Sequence, residues 1–452
     1  MAASTAERDL AAIPGPRGGL ITGAGVMLWR DLLDTLLSGM HRYGDVVRYE
    51  VMPSVPPLHT TIVVAHHPDD VRTVLTQTEH AFSKRTVGFR VLTELIGHGL
   101  LTTEGEVWRT QRRTVQPLFT RHGISRYAAF MAEEAARLPI PPGGMVDLDR
   151  LTHRYTLRVV GRTLFSDDID DVVPALQRLM PRLSGVAVRR TFQPIRLPHW
   201  IPTPGNLALR RVRAEEYAIV DRILDRPMPG DRDDLVSRLR TARDPHTGQP
   251  LTRQEIRDQI LVFLLAGHET TANALTATLY LLGRHPSEQE RVAAEATEVL
   301  DGRGAPSPED LPALVWTRAA LREGLRLYPS AYLTERITTK PVRIGGYQVP
   351  PGVMVLVAPW TTHRHPEWWP EPERFQPARF VGSEDRPHYA YFPFGGGPRG
   401  CIGEHFALLE ATIVLATLLA RYRVTASGAE LRVRPLVTLR PAGPVTAWLD
   451  PR

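Results

Sequence analysis

The chain has 452 residues, of which 42% are apolar and 23% are charged, as is typical of a globular protein and not of a disordered one. Its formal net charge is +6, but no long Lys/Arg run and no nucleic-acid-binding motif accompanies this charge, so nucleic acid is not expected as a partner. The one cysteine, Cys401, excludes an internal disulfide, a cysteine-rich zinc site and a protein-bound iron–sulfur cluster.

The amino-terminal region shows no targeting or membrane-spanning pattern. Residues 1–16 lack the charged start and apolar run of a signal peptide, and charged residues interrupt residues 20–40, whereas a membrane span needs about 20 apolar residues. We expect a flexible segment over residues 1–13 and one large domain over residues 14–452, in a soluble, cytoplasmic monomer with no membrane span.

The first half of the chain predicts two strands followed by a series of helices. Alternating and β-branched residues indicate strands at 45–50 and 60–65, and Pro68 opens a helix that runs to residue 75. Four prolines between residues 194 and 204 predict an ordered loop. Helical patterns occupy residues 107–116, 124–137, 148–164, 171–183 and 207–226.

The clearest predicted helix lies in the middle of the sequence. Thr252 and Glu255 have the spacing of a capping box, and His285-Pro286 stops the helix at its far end. Residues 260–266 are apolar on nearly every side. A helix of this kind is buried at the centre of a large domain.

The last third of the chain changes from helix to strand and back to helix. Helices at 287–300 and 314–327 precede strands within residues 337–358. Residues 361–399 show little periodicity, and so long a loop inside a compact domain is usually functional. A helix at 404–422 follows. The predicted fold class is therefore mainly α with minor β, in a single large domain with a long central helix.

The most informative segment is the glycine-rich run Phe-Gly-Gly-Gly-Pro-Arg-Gly-Cys-Ile-Gly at residues 394–403. Glycine permits positive φ and a close approach of the backbone to a flat ligand. Cys401 stands at the start of a predicted helix, where the dipole and the backbone amides favour a thiolate, the form that binds a metal. Two plainer interpretations are a buried apolar cysteine and a phosphate cradle, although no P-loop lysine follows the glycines.

This segment resembles the haem-binding signature of the cytochrome P450 family, in which Phe, Gly, Arg, Cys and Gly have fixed spacing. The fixed positions are filled by Phe394, Gly397, Arg399, Cys401 and Gly403. The resemblance covers nearly the whole chain. It implies the cytochrome P450 fold, with haem b (iron protoporphyrin IX) as cofactor and Cys401 as the ligand of its iron.

The run Ala-Gly-His-Glu-Thr-Thr at residues 266–271 resembles the family's oxygen-binding groove. Its glycine and threonines favour a local distortion of the central helix, and a charged residue in an apolar stretch needs a reason. The plainer interpretation is a core helix with an incidental polar turn. By the resemblance, Thr270 hydrogen-bonds dioxygen, Glu269 belongs to a proton relay, and Ala266 leaves room over the haem.

Several basic residues match the family's contacts to the haem propionates. Trp108 and Arg112 lie four apart on a predicted helix and match a Trp–Arg pair of this kind, although a stacked surface pair would look the same. Arg336 and Arg399 stand where the family places further propionate partners, since buried carboxylates favour bidentate Arg donors. His80 could also reach a propionate.

A further match concerns the family's buried, fold-stabilising ion pair. Glu323 and Arg326 lie three apart on one helical face. A solvated surface pair is the plainer interpretation. The family completes its pair with an Arg from a later loop, and Arg374 in Pro-Glu-Arg-Phe matches that position.

The resemblance implies a monooxygenase that takes O2 and an apolar small molecule. We expect hydroxylation or epoxidation of a terpenoid, fatty acyl or polyketide-type compound of secondary metabolism, and substrate contacts from the loops at 85–96 and 193–204. The candidate contact residues, each of which could equally be plain core, are Val87, Phe89, Val262, Leu265, Ala331, Leu333 and Val437.

Electrons are expected from a separate protein, because the chain leaves no room for a fused reductase domain. A ferredoxin with its ferredoxin reductase is the expected donor, and ferredoxins are usually acidic. The candidate basic docking residues are Arg109, Arg112, Arg113 and Arg399.

Other functions on the same fold remain open at this point. A non-turnover haem-thiolate binding protein or sensor needs Cys401 but not Glu269 and Thr270. An enzyme for oxidative coupling or isomerisation, or a peroxygenase, often lacks this acid–alcohol pair, which the chain retains. A cysteine hydrolase would need a positioned histidine partner, and none is apparent from the sequence.

Overall fold

The structure is a computed structural model that describes residues 8–19, 21–55, 58–77, 79–141, 143–165, 171–193, 197–226, 234–243, 248–382, 385–428 and 430–452. Within them, the helices are α1 (Gly25–Arg30), α2 (Leu32–Tyr43), α3 (Pro68–Thr76), α4 (Val87–Ile96), α5 (Gly105–Val115), α6 (Arg121–Ser125), α7 (Ala128–Ala136), α8 (Leu148–Leu164), α9 (Val173–Thr191), α10 (Pro204–Leu224), α11 (Leu235–Thr241), α12 (Arg253–Arg284), α13 (Pro286–Leu300), α14 (Val315–Leu327), α15 (Pro359–Thr362) and α16 (Glu404–Arg421). The strands are β1 (Arg8–Asp9), β2 (Val46–Val51), β3 (Thr60–Ala65), β4 (Phe82–Ser83), β5 (Met145–Asp147), β6 (Thr334–Thr338), β7 (Val342–Ile344), β8 (Tyr347–Val349), β9 (Met354–Val357), β10 (Tyr422–Ala426), β11 (Val433–Pro435), β12 (Leu439–Pro441) and β13 (Thr446–Pro451). The prediction of a mainly α fold with minor β is confirmed.

The long central helix α12 begins and ends where its sequence signals predict. The Thr252 hydroxyl accepts the N–H of Glu255 at 3.3 Å, and the Glu255 carboxylate accepts the N–H of Thr252 at 2.7 Å. This capping box satisfies amides that have no partner inside the helix. The helix ends at Arg284 and packs against α8, α14 and α16. The main apolar core surrounds it, as the all-round apolar sequence predicts.

A five-stranded sheet brings distant parts of the chain together, in the order β2-β3-β9-β6-β4. Strands β2 and β3 pair antiparallel, and β3 then pairs parallel with β9. Strand β6 lies between β9 and β4 and carries Arg336 in its middle. A second apolar cluster packs around this sheet and α3. The sheet therefore places β6 and the residues after β4 side by side.

Two smaller β-structures close the carboxyl-terminal part of the chain. Strands β10, β13 and β5 form one sheet, and β11 pairs antiparallel with β12. In this β11–β12 hairpin Arg434 is the cross-strand neighbour of Arg440. The turn between the strands holds Thr438, whose hydroxyl contacts α12. The hairpin thus abuts the middle of the central helix.

Several predicted elements differ in extent from the observed ones. The expected loop at 85–96 is largely helix α4, because Thr86 accepts the N–H of Phe89 as an N-cap and Gly97, at φ 77°, ends the helix. The helix expected at 124–137 is divided into α6 and α7. Of the loop expected at 194–204, residues 194–196 lie outside the described residues, and Pro204 already begins α10.

The predictions of a flexible amino-terminal segment and of no membrane span can each be compared with the described residues. Residues 1–7 of the expected flexible segment lie outside the described residues, and Arg8–Asp9 pair in parallel with β8. Among the described residues, none of the helices has both the length and the apolar character needed to cross a bilayer.

Candidate active site

The glycine-rich loop holds Cys401 immediately before α16. The N–H of Cys401 donates to the carbonyl of Phe394 at 2.9 Å, and the N–H of Gly400 donates to Gly397 at 3.1 Å. Gly397 has φ 63°, and a Cβ there would lie 2.4 Å from the carbonyl oxygen of Leu75 in α3. Only glycine lets the loop pack this closely on α3, so the spacing of the loop fixes where the sulfur sits.

Cys401 is exposed to a cavity of about 1160 Å³ that Phe394, Gly397 and Gly400 also line. The surrounding protein raises the pKa of its thiol to about 11 by desolvation, and hydrogen bonds from the backbone amides of Gly403 and Glu404 act in the opposite direction. A thiol that ligates a metal loses its proton outright. The amides stabilise negative charge on the sulfur, which is the form that binds a metal.

Arg112 ties helix α5 to the cysteine loop. Its Nη1 donates to the carbonyl of Gly400 at 3.1 Å, and its charge opposes the rise in the pKa of Cys401 that burial causes. Its guanidinium lies 5.7 Å from the ring of buried Trp108. The sequence-predicted pair of Trp108 and Arg112 thus borders the cysteine loop, and it is not a stacked pair on the open surface.

A cluster of buried cations lies beside this loop, and we call Lys84, Arg336 and Arg399 the cation cluster. Burial lowers the pKa of Arg336 to about 10, with repulsion from Arg399 adding to the effect. Burial also lowers the pKa of Arg399 to about 10, and the pKa of Lys84 falls well below its usual value because of burial and of repulsion from Arg336 and Arg399. Glu79, whose carboxylate lies 3.7 Å from Arg399, and Glu104 offset part of this repulsion, and a further anion would offset more of it.

The contacts of Arg399 and Lys84 leave donor capacity for such an anion. Arg399 packs its guanidinium 3.7 Å from the Trp108 ring and donates from Nη1 to the carbonyl of Thr103 at 2.9 Å. Its buried Nε has no hydrogen-bond partner among the described residues. The Lys84 ammonium donates to the carbonyl of Leu101. The propionates of a haem are anions of the required kind, so these residues fit the group.

Sequence reasoning missed Lys84. Lys84 is one of only two lysines, a rarity that carries no information about its neighbours. It is buried because β4 and β6 pair at Ser83 and Ile337. His80, in contrast, is exposed.

Helix α12 presents one open position to the interior of the molecule. Ala266 is exposed although Leu264 and Leu265 before it are buried. The hydroxyl of Thr270, which is half-buried, donates to the carbonyl of Ala266 at 2.7 Å. Open space therefore lies against the small side chain of Ala266, one turn from the Thr270 hydroxyl. The expected distortion is not observed, because α12 continues as an α-helix through this turn.

Glu269 is fully buried, on the same turn of α12 as Thr270. Its Oε1 accepts the hydroxyl of Thr438 and lies 3.7 Å from Nε of Arg440. Its Oε2 has no hydrogen-bond partner among the described residues. A buried carboxylate oxygen without a partner is costly, so Glu269 does not have the contacts of a fully satisfied structural ion pair.

The predicted substrate contacts on α12 and α4 differ in their burial. Val262 and Leu265 of α12 are buried in the main core. Val87 and Phe89, in the first turn of α4, are half-buried, and the Phe89 ring lies 4.1 Å from the ammonium of Lys84. These four residues therefore divide between the core and the neighbourhood of the cation cluster.

The other predicted contacts come from the carboxyl-terminal half. Ala331 is exposed, and Leu333 is half-buried against the cluster around α2 and the five-stranded sheet. Val437 is half-buried and packs against the main core. Phe394 packs against the same core, and Gly403 is the N-cap residue of α16.

The buried ion pair is present, but its third member differs from the prediction. Nε of Arg326 donates to Glu323 at 2.7 Å, with both side chains fully buried. Nε of Arg379 lies 3.4 Å from the same carboxylate, whereas Arg374 offers Arg326 only its carbonyl and points its side chain to exposed Glu371. Arg379 therefore completes the network, and the assignment of Arg374 was wrong.

Comparison with known proteins agrees with this geometry. The cytochrome P450 family model matches residues 14–442. The cyclooctat-9-en-7-ol 5-monooxygenase of Streptomyces melanosporofaciens is 38% identical over 411 residues, which cover 89% of this chain and 87% of the relative. Cyclooctatin synthase of the same organism is 35% identical, covering 96% and 95%. Pentalenene oxygenase of Streptomyces avermitilis is 33% identical, covering 91% and 90%.

These matches extend over almost the whole chain and over the site. The fold and the site define a haem-thiolate monooxygenase, an oxidoreductase that uses O2, an apolar substrate and a redox partner. The chain belongs to the cytochrome P450 family.

Proposed function

We propose that the protein inserts one oxygen atom of O2 into a cyclic terpenoid, by hydroxylation or epoxidation, with haem b as its cofactor and a separate ferredoxin and ferredoxin reductase as its electron source. The observation that carries this proposal is the position of Cys401. It stands at the end of a glycine loop that permits no side chain at Gly397, and Arg112 donates to the carbonyl of Gly400 just before it.

Each part of the site has a stated role in this proposal. Cys401 ligates the iron, and the cation cluster binds the propionates with Arg112 and Trp108 beside it. Bound in this way, a haem with a thiolate ligand supplies the cleavage of the O–O bond. Ala266 of α12 would leave space for O2 and the substrate. Phe394 and Gly403 belong to the loop that carries Cys401.

Protons for the reaction are assigned to α12. The hydroxyl of Thr270 is within reach of the open space at Ala266, since it already donates to the Ala266 carbonyl. Glu269, one residue away, has a buried Oε2 without a partner among the described residues. In this proposal Glu269 supplies protons and the Thr270 hydroxyl passes them to the reacting oxygen, which is general acid catalysis in a site shielded from bulk water.

The substrate class rests on apolar surface and on the relatives. Val87, Phe89, Leu333 and Val437 are apolar and half-buried, as expected where a ligand without charge covers them. The relatives' names specify an alkenol and an alkene, cyclooctat-9-en-7-ol and pentalenene. A ring-containing terpenoid fits these names better than a fatty acid does.

The electron donor is assigned to a basic groove that includes Arg112 but none of the other docking residues expected from the sequence. Arg109 pairs with Glu79 at 2.8 Å and with Glu106 at 2.7 Å, and the side chain of Arg399 is buried. The cavity that contains Cys401 is instead lined by one acidic residue, Glu404, and by the basic residues Arg112, Arg121, Arg318, Arg322, Arg386, His388 and His405. An acidic ferredoxin would complement this groove close to the sulfur.

The first experiment tests the cofactor and its ligand. Purified protein, produced with ample haem precursor, should show the strongly red-shifted Soret band of a thiolate-ligated haem when reduced under carbon monoxide. Cys401→Ser should lose that band. A colourless, folded wild-type protein would contradict the proposal.

The second experiment tests the reaction and the proton role. Cyclic terpenoid alkenes should shift the spin state of the iron and yield oxygenated products with a ferredoxin and its reductase, whereas fatty acids of similar size should not. Thr270→Ala should lower product formed per electron pair by about tenfold or more. Thr271→Ala, which removes the neighbouring hydroxyl, is the matched control and should leave this ratio unchanged.

The third experiment tests the docking groove. Arg318→Glu should raise the ferredoxin concentration needed for half-maximal turnover and weaken its salt dependence. Arg434→Glu, the same charge reversal on the β11–β12 hairpin outside the groove, should change neither. Equal effects of the two reversals would show that overall charge, and not the groove, attracts the donor.

A further inference from the structure

The buried carboxylate of Glu269 depends on the β11–β12 hairpin for its partners. Thr438 donates its hydroxyl to Oε1, and Nδ2 of Asn273 donates in turn to the Thr438 hydroxyl at 3.2 Å. The guanidinium of Arg440 lies 3.7 Å from the same oxygen. A buried carboxylate without a counter-charge is costly. Among the described residues, Arg440 is the cation within ion-pair distance of Glu269.

Arg440 is in turn held by helix α8. Its Nη2 lies 3.4 Å from Nε2 of His153, and the same Nε2 lies 3.4 Å from Oδ1 of Asp149. One ring nitrogen cannot accept from Arg440 and donate to Asp149 at the same time. The side chain of Asp149 is 24% exposed and that of Glu269 is 0% exposed. These contacts thus connect a carboxylate at the surface with a buried one.

The titratable and charged groups that face Arg440 are Glu269 and His268 of α12 and His153 and Asp149 of α8. Burial, followed by the charges of His153 and Arg440, lowers the pKa of His268 to about 3, so its ring is neutral. Burial opposes the ionisation of Asp149, but contacts with His153 and Arg440 lower its pKa overall. Arg440 therefore lies between two carboxylates and beside two imidazoles.

We propose that Arg440 is a positioning residue for Glu269, and that His153 holds Arg440 in place. Arg440 supplies the counter-charge that keeps the Glu269 carboxylate docked on Thr438, one residue from Thr270. The inference rests on the proposed function, in which Glu269 supplies protons at Thr270. Arg440 does not itself relay protons, because a guanidinium does not lose its proton in proteins.

Loss of this counter-charge has a defined chemical consequence. A displaced or neutralised Glu269 delivers protons at the wrong rate, so reduced O2 leaves before its O–O bond is broken. The O2 has then taken up two electrons from the ferredoxin and two protons from solvent, and it is released as hydrogen peroxide. The electrons are consumed while the substrate is recovered unchanged.

The turnover test uses the haem-loaded enzyme with its ferredoxin and reductase. Arg440→Met should lower product per electron pair by on the order of tenfold, less than the factor of about 10²–10⁴ for loss of a general acid itself. Hydrogen peroxide should rise in proportion, and the pH profile of coupling should shift. Arg440→Lys should restore part of the coupling. Unchanged coupling and an unchanged pH profile in Arg440→Met would overturn the proposal.

The matched control is Arg434→Met, which removes the same charge from the cross-strand neighbour of Arg440. Arg434 is exposed, so this variant should couple like the wild type. His153→Asn should lower coupling less than Arg440→Met, since it removes a contact of Arg440 and not the charge itself. An equal loss in Arg434→Met would assign the effect to the hairpin as a whole and overturn the role of Arg440.

A second measurement is independent of turnover. Thermal unfolding of the haem-loaded wild type, Glu269→Gln, Arg440→Met and the double variant forms a double-mutant cycle. The proposal predicts that Arg440→Met destabilises the wild type clearly more than it destabilises Glu269→Gln. Additive effects would overturn it. If the wild type bound haem but oxidised no substrate, the proposed function would fail, while this cycle would still decide the inference.

Discussion

The contact between the cysteine loop and α3 predicts a different outcome for alanine at each of two neighbouring glycines. Gly395 and Gly397 have φ of 70° and 63°, a region that costs an L-residue about 1–2 kcal/mol. An added Cβ at Gly395 meets nothing within 4 Å, whereas one at Gly397 lies 2.4 Å from the Leu75 carbonyl oxygen. The two substitutions thus share the backbone strain and differ in the collision.

The magnitude follows from the overlap. Carbon and carbonyl oxygen rest at about 3.3–3.6 Å, so Gly397→Ala must move the loop by roughly 1 Å. Overpacking of this kind costs about 1–3 kcal/mol, which gives about 2–5 kcal/mol in total for Gly397→Ala against about 1–2 for Gly395→Ala. A metal–ligand distance tolerates only about 0.2 Å, so the displacement should also reduce binding of haem at Cys401, four residues further on.

Both quantities are measurable on the same preparations. Thermal unfolding gives the stability difference, and the reduced carbon monoxide spectrum per mole of protein gives the fraction with thiolate-ligated haem. Gly397→Ala should have a clearly lower thermal stability than Gly395→Ala, and a clearly lower fraction of its molecules should contain thiolate-ligated haem. Equal behaviour of the two variants would refute the reasoning, because backbone strain alone would then account for the glycines and the approach to α3 would be irrelevant.

Three further predictions concern stability. Glu323→Gln leaves Arg326 buried without its counter-charge and should lower the free energy of unfolding by about 3–5 kcal/mol, whereas the same change at exposed Glu371 should cost about 0–1; thermal unfolding checks both. Thr252→Ala should remove the capping box of α12 and cost about 1 kcal/mol, and Thr252→Ser, which retains a hydroxyl, should cost less in the same assay. Burial raises the pKa of Glu216 from 4.5 to about 8, so its contribution to stability is full below pH 4.5 and is lost as the pH rises through about 8. Glu216→Gln should therefore match the wild type near pH 4.5 and exceed it by about 1–4 kcal/mol at pH 8; a constant difference across this range would contradict the shift.

The parts of the fold with strong local signals were predictable from the sequence. Helix α12 begins at a capping box and ends at a proline, and α8 spans the predicted residues 148–164. Cys401 and the glycines before it are adjacent in sequence, so their grouping needed no tertiary information. Helix α4 also has local signals, an N-cap at Thr86 and Gly97 at its end. The prediction of a loop there gave more weight to the family's variable region than to these caps.

Choices between equivalent residues needed the third dimension. Arg374 and Arg379 both stand in a Pro-x-Arg-Phe run, and only the path of the backbone decides that the Arg379 side chain reaches Glu323. Lys84 joins Arg336 and Arg399 because β4 pairs with β6. The spacing of residues in the sequence does not indicate that β4 pairs with β6. The substrate contacts were the weakest predictions, since an apolar side chain looks the same in a core and in a pocket.

The five-stranded sheet sets the order in which this enzyme can fold during its synthesis. Val63 of β3 pairs with Val355 of β9, and a ribosome adding about 5–20 residues per second takes about 15–60 s to make the intervening chain. Until then one edge of β3 has no partner strand and can pair with other chains, which leads to aggregation. Arg336 emerges in the same late interval as β9. Haem can therefore be bound at its full set of contacts only after these late residues have been made. A nascent chain that stalls earlier is expected to aggregate and not to act as a partly active enzyme.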